Sequence, residues 1–118
     1  ENAVVVASAI GGSSNATTHL IAIAKHMGVR FDLSNWQKLG HKIPLLVNCQ
    51  PAGTHLMEGF YKAGGVPAVM KELIKNKKLN TNVLTVTGKR LGDNLKNKIK
   101  VNQDVIKNYQ NNLLYRNN

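Results

Sequence analysis

Residues 11–15 read Gly11-Gly12-Ser13-Ser14-Asn15 and stand between an apolar run, residues 3–10, and an amphipathic stretch that begins at Ala16. Two consecutive glycines allow the backbone to turn sharply and to approach another group closely. Ser13 or Ser14 is then placed to cap the following helix, whose first N–H groups and positive dipole end favour an anion such as a carboxylate. The stretch therefore predicts a tight turn that leads into a helix, a pattern that is by itself more typical of a simple cap than of a ligand site.

Helices are predicted along most of the chain. The apolar run before the turn contains Val4-Val5-Val6, which suits a buried strand, but its length of about ten residues favours a helix. Apolar spacing predicts a second helix from Ala16 to Met27, closed by Gly28. Later helices are predicted to end at Gly40 and at the Gly64-Gly65 pair. Three helix starts are predicted at hydroxyl-bearing caps, namely Ser34 (with Gln37 at capping-box spacing), Thr54 and Thr87.

Short extended segments separate these helices. Ile43 to Val47 is predicted to be a buried strand and Val83 to Val86 a brief one. Strands that alternate with helices indicate an α/β fold, here a helix-rich one. Few apolar residues follow Val101, so we expect residues 101–118 to form an extended, poorly anchored tail beside a domain that covers residues 1–100.

The charge is large and uneven. The formal net charge is +10, and residues 1–75 carry 7 basic and 4 acidic side chains whereas residues 76–118 carry 9 and 2. Such an excess is compatible with nucleic-acid binding. The basic part is also rich in asparagine, however, and no aromatic side chains alternate with the basic ones to stack on bases. A solvated surface accounts for this pattern better, and we expect no nucleic-acid partner.

Length and cysteine content narrow the class of protein. The 118 residues suffice for one domain with a core, and no apolar run approaches the roughly 18 residues of a membrane span. The single cysteine excludes an internal disulfide and suits a reducing compartment. We therefore expect a cytoplasmic protein with no membrane contact. The start at Glu1 favours an internal fragment of a longer enzyme, and no secretory leader is visible.

The residues capable of metal or acid–base chemistry are scattered. The four histidines lie in three different predicted elements or turns. His19 and His26 share one helix, where they are seven residues and about 10 Å apart, which is too far for one ion. His19 follows the Gly11–Asn15 turn by one helical turn and is expected to face the same cleft. Cys49 has no second cysteine with which to hold an iron–sulfur cluster, so we interpret it as a buried packing residue. We predict no catalytic and no metal-ligating residue within this chain.

Longer blocks of sequence point to one family. They are Gly11–Leu20, Ile43–Gly53, Leu56–Tyr61, Ala63–Leu73 and Leu84–Lys89. In this order and spacing the chain resembles the dihydroxy-acid dehydratase / 6-phosphogluconate dehydratase family, colinearly from Glu1 to about Ile106. The block Asn48-Cys49-Gln50-Pro51-Ala52-Gly53 is more similar to the sugar-acid (aldonate) dehydratases than to the branched-chain biosynthetic branch. Ser14 stands where such relatives usually carry threonine, so the hydroxyl is kept and a methyl group is lost.

The resemblance implies a fold and a chemistry. Members of the family remove water from a 2,3-dihydroxy acid to give a 2-keto-3-deoxy acid, with an iron–sulfur cluster and Mg²⁺ as cofactors. The resemblance places the cluster cysteines, the Mg²⁺ carboxylates and the catalytic serine in segments that this chain lacks, which implies that the isolated fragment is inactive. It also implies that the chain belongs to the larger N-terminal α/β domain, that residues 101–118 lead toward a missing C-terminal domain, and that the parent is a homo-oligomer.

Within this framework the Gly11–Asn15 turn is the candidate contact with a small sugar acid or dihydroxy acid. Ser13, Ser14 and Asn15 are predicted to bind the substrate, with His19 behind them as support. The competing interpretation is that the turn only lets two helices pack closely. Two alternatives stay open for the whole chain, namely a fragment of a branched-chain dihydroxy-acid dehydratase and a non-catalytic basic binding module.

Overall fold

Over residues 1–113, which the structure describes, the chain folds around six helices joined by packed loops. In this computed structural model the helices are α1 (Asn2–Ile10), α2 (Asn15–His26), α3 (Leu33–Gly40), α4 (Met57–Lys62), α5 (Gly65–Lys75) and α6 (Leu91–Asn94). Helix α1 contacts α2, α3 and α5, and α4 contacts α5. No helix in this part of the chain is both long enough and apolar enough to cross a bilayer.

Helix α1 lies at the centre of the fold. Val4, Val5, Val6 and Ala9 are all buried, so neighbours cover the helix on more than one side. Valine has a lower helix propensity than leucine or alanine, but burial of an apolar run outweighs that small difference. The helix predicted for this run is confirmed, and the strand alternative is wrong.

The strand predicted for residues 43–47 is not formed. This segment is largely buried, but its only ladder contact among the described residues is a single antiparallel bridge between Val47 and Ile106. The Leu46 N–H donates at 2.8 Å to the carbonyl of Ala9 at the end of α1. A helix end and a loop thus satisfy the buried backbone groups that a neighbouring strand would have paired.

The prediction of a second strand at residues 83–86 is also wrong. Leu84 makes one antiparallel bridge with Arg90, and the Thr85 N–H donates to the Lys89 carbonyl at 2.9 Å, so this segment is one side of a tight loop. Residues 1–113 contain helices and isolated bridges but no strand. The helix-rich character is therefore confirmed, whereas the α/β class is not confirmed by this part of the chain.

Residues 101–113 are anchored to the body of the fold. Val105 and Ile106 are buried, with 3% and 2% of their surface exposed. The Asn48 N–H donates to the Val105 carbonyl at 2.8 Å, and the Lys107 N–H donates to the Leu46 carbonyl at 2.7 Å. The prediction of a poorly anchored tail is wrong for these residues, because two apolar side chains with paired backbone neighbours hold the segment in place. Residues 114–118 lie outside the described residues, and the boundary at residue 100 stays a prediction.

The start of α3 differs from the predicted one. The Asp32 carboxylate accepts the Asn35 N–H at 3.1 Å, and the Asn35 side chain accepts the Asp32 N–H at 3.0 Å. This reciprocal capping box replaces the one predicted for Ser34 and Gln37. The Ser34 hydroxyl donates to the Asp32 carboxylate instead, and that bond, followed by the Asn35 amide, holds the pKa of Asp32 below its ordinary value.

Two further predicted caps are used elsewhere. The Thr54 hydroxyl donates to the Asn48 side chain at 3.3 Å, and α4 starts without a side-chain cap. The Thr87 hydroxyl donates to the Asn94 side chain at 3.0 Å, and α6 also lacks a side-chain cap. The predicted end of α4 is confirmed, because Gly64-Gly65 follows it with φ values of +126° and +63°.

Candidate functional site

The turn that follows α1 lies directly against a second loop. Gly11 has a φ of +68°, and its N–H donates to the Ala7 carbonyl at 3.1 Å. A Cβ atom built on Gly11 would collide with the Leu45 side chain and would lie 2.9 Å from the Cβ of Ala52. Glycine alone satisfies both the backbone angle and the lack of space. Two blocks that the sequence singled out, residues 11–15 and 43–53, are therefore neighbours.

Asn48 organises the loop that supports the turn. Its Oδ1 accepts hydrogen bonds from the Thr54 N–H at 2.9 Å and from the Thr54 hydroxyl, and its carbonyl accepts the His55 N–H at 3.1 Å. Gly53 lies so close that an added Cβ would be 2.6 Å from the Asn48 carbonyl carbon. Sequence reasoning missed this role of Asn48. The one available signal was its place just before a Pro-Ala-Gly turn.

The four predicted binding residues are exposed at the start of α2. Ser13, Ser14, Asn15 and His19 all lie at the surface, with His19 one helical turn beyond the others. The Ser13 hydroxyl accepts the Asn15 N–H at 3.3 Å, whereas Ser14, the N-cap residue, makes no side-chain cap bond. Within residues 1–113 the Ser14 hydroxyl and the Asn15 carboxamide have no hydrogen-bond partner.

The backbone amides at the start of α2 are already engaged. The Ala16 N–H donates to the Ser13 carbonyl at 3.0 Å, and the Thr17 N–H donates to the Ser14 carbonyl at 3.2 Å. Together with the Asn15 N–H on the Ser13 hydroxyl, these bonds use the amides that the sequence pattern suggested for an anion. The turn therefore offers side-chain groups, one hydroxyl and one carboxamide, that can donate to and accept from a small polar ligand.

The residues present do not fit the implied cofactors. Across residues 1–113 no group of three or more His, Cys, Asp or Glu side chains is placed to hold a metal ion. Cys49 is a free thiol with 2% of its surface exposed, and it packs in the hydrophobic core, as predicted. An iron–sulfur cluster needs about four thiolate ligands, and Mg²⁺ needs carboxylate oxygens arranged around it. This segment of chain supplies neither set.

Known proteins match this chain over the region that contains the blocks of sequence described above. Residues 1–94 match the family described as dihydroxy-acid/6-phosphogluconate dehydratase N-terminal. D-xylonate dehydratase of Caulobacter vibrioides is 45% identical over 106 residues, which are 90% of this chain and 18% of that protein. L-arabinonate dehydratase of Rhizobium leguminosarum bv. trifolii is 43% identical over the same shares of the two chains. Dihydroxy-acid dehydratase of Cytophaga hutchinsonii is 47% identical over 96 residues, 81% of this chain and 17% of that protein. The chain thus spans less than a fifth of the length of these relatives.

Proposed function

This chain belongs to the dihydroxy-acid/6-phosphogluconate dehydratase family, and on that premise we propose that it forms part of a hydro-lyase that removes water from a 2,3-dihydroxy acid. The observation that carries the proposal is the match to the family over residues 1–94, together with relatives named as dehydratases at 43–47% identity. We place the iron–sulfur cluster outside this chain because Cys49 stands alone in the core. We place the Mg²⁺ outside it because no group of three or more His, Cys, Asp or Glu side chains within residues 1–113 is arranged to hold a metal ion. This chain then contributes substrate contacts and structural support, and it contributes no cofactor ligands.

We assign the substrate to the sugar acids. Relatives named for sugar acids and for dihydroxy acids are about equally similar to this chain, so overall identity does not separate them. The assignment depends on the block Asn48–Gly53, which resembles the sugar-acid branch and which forms the loop beneath the Gly11–Asn15 turn. A polyhydroxylated acid offers several hydroxyl partners to Ser14 and Asn15, whereas an alkyl tail offers none. A branched-chain dihydroxy acid is the alternative.

Within this assignment the turn binds and orients the substrate. The Ser14 hydroxyl and the Asn15 carboxamide are the contact groups, since both are exposed and unbonded within residues 1–113. Ser13 fixes the turn through its bond to the Asn15 amide, and His19 supports the same edge from one turn further along α2. No proton transfer is assigned to any of these side chains.

The assay uses the protein product of the complete reading frame that encodes this chain. The protein is purified without oxygen, its iron and sulfide are quantified, and it is incubated separately with D-xylonate, L-arabinonate and a branched-chain 2,3-dihydroxy acid. We expect 2-keto-3-deoxy acid to form with the highest kcat/KM from one of the sugar acids. A higher kcat/KM for the branched-chain acid would replace the substrate assignment, and no keto acid from any of the three in cluster-loaded protein would contradict the dehydratase proposal.

A further inference from the structure

An apolar stripe along α2 and its C-cap residue Met27 is only partly covered, although α2 contacts α1 and α3. Leu20, Ile23, Ala24 and Met27 follow the spacing of an amphipathic helix, yet no residue of α2 is buried. Ile23 is 58% exposed and Met27 is 75% exposed. Large contiguous apolar patches on a protein surface usually mark a binding interface. The stripe therefore has the pattern of a core-facing helix, and its contacts with α1 and α3 leave Ile23 and Met27 exposed.

The stripe is part of a groove formed by α1, α2 and α3. The groove has a volume of about 460 Å³, and its apolar lining also includes Val4, Phe31 and Leu39. Val29, which lies just after α2 and is 57% exposed, adds to the same lining. An apolar groove between helices suits the side chains of one further helix, which enter it at intervals of three and four residues.

The charges that border the groove are mainly basic. Arg30 and Lys38 line it, and neither takes part in the two ion pairs found within residues 1–113. Glu1 supplies the single carboxylate in the described lining. A second copy of this chain would carry the same cations to the contact on a molecule of net charge +10, and a two-fold interface would place like charges together. An occupant with acidic flanks fits this border better.

We propose that this groove binds an amphipathic helix with acidic flanks, supplied by another segment of a dehydratase polypeptide. The relatives indicate the source, because the matched region is only 17–18% of their length and most of each polypeptide lies elsewhere. The apolar stripe of the incoming helix covers Ile23 and Met27. Its acidic side chains pair with Arg30 and Lys38.

The test presents the 118-residue chain with overlapping peptides of about 20 residues, roughly five helical turns, that tile the D-xylonate dehydratase of Caulobacter vibrioides outside its matched region. Binding is measured by fluorescence anisotropy. We expect the tightest binders to combine an apolar helical stripe with acidic flanks. The double substitution Ile23→Asp with Met27→Asp should weaken their binding at least tenfold, and Arg30→Glu with Lys38→Glu should weaken it several-fold.

Val86→Asp is the matched control, because Val86 is a fully exposed apolar residue outside the groove. It should leave peptide binding unchanged, and circular dichroism should show the same helix content in every variant. The proposal is overturned if no peptide binds, if binding survives both double substitutions, or if the best binders lack acidic flanks. A wild-type dimer in sedimentation that the Ile23/Met27 variant dissolves would assign the groove to a second copy and would also overturn it.

Discussion

Replacing Gly11 with alanine should destabilise the chain more than the same change at Gly28. Both glycines have nearly the same backbone angle, with φ values of +68° and +69°. They differ in surroundings, since a Cβ on Gly11 would meet Leu45 and Ala52, whereas a Cβ on Gly28 would have nothing within 4 Å. The pair therefore separates the cost of the left-handed backbone from the cost of the contact between the turn and the loop.

The expected magnitudes follow from these two terms. A non-glycine residue in the left-handed region costs about 1–2 kcal/mol, which is the whole effect expected for Gly28→Ala. Overpacking adds roughly 1–3 kcal/mol to Gly11→Ala, because the Leu45 methyl can rotate away but the Ala52 Cβ can move only with its backbone. Gly12→Ala should be close to neutral, since Gly12 has no left-handed φ and open space around it.

Urea unfolding of the wild type and the three variants, followed by circular dichroism, measures these differences. With a slope of about 2 kcal/mol per molar urea, the midpoint of Gly11→Ala should lie roughly 0.5–1.5 M below that of Gly28→Ala. Equal midpoints for these two variants would show that the turn does not pack on the loop. A loss at Gly12→Ala as large as at Gly11→Ala would refute the proposed backbone geometry.

Three further perturbations test other parts of the structure. Ile106→Ala should lower the free energy of unfolding in urea by about 2–5 kcal/mol because the side chain is buried. A loss of less than about 0.5 kcal/mol would instead support the prediction of a poorly anchored tail. Anaerobic reconstitution of the 118-residue chain with iron and sulfide should leave no stoichiometric cluster after desalting, since Cys49 is the only thiol; retained iron and sulfide in fixed ratio would contradict this. The pKa of the Asp32 carboxylate is lowered in the folded chain, so the ionised carboxylate stabilises the fold above its ordinary pKa of 3.8. This stabilisation of the fold is lost as the pH falls through the lowered pKa. The urea midpoint of wild type relative to Asp32→Asn should therefore decline in acid, and a pH-independent difference would exclude the charged cap.

The helices that depend on local pattern could be predicted from the sequence. The prediction of α2 follows from its apolar spacing and from Gly28 just after its end. Both features depend only on residues that are close together in the chain. The family resemblance also came from local blocks, and the match over residues 1–94 confirms it. In α5, Val69 and Leu73 lie four residues apart on one helix face and are both buried, and this spacing is also visible in the local sequence.

Features that depend on distant partners could not be predicted. The apolar run at residues 43–47 indicated burial correctly, but it carried no information on whether a strand, a helix end or a loop would satisfy its backbone. Hydroxyl residues such as Thr54 suit several hydrogen-bonding roles, and tertiary contact with Asn48 decided which one was used. Asn48 itself is a short polar residue in a loop, and its role becomes visible only when the loop is closed.

Steady-state kinetics of Ser14→Ala and Asn15→Ala in the product of the complete reading frame test the substrate contact most directly, with the preferred sugar acid and with cluster content measured for each variant. Each change removes one hydrogen bond of about 0.5–1.5 kcal/mol, so kcat/KM should fall roughly threefold to tenfold in each. Gln103→Ala removes an exposed carboxamide far along the chain from the turn and should leave both kcat and KM unchanged. If both turn variants also keep wild-type kcat and KM at normal cluster content, the Gly11–Asn15 turn only packs helices and the proposed contact is wrong.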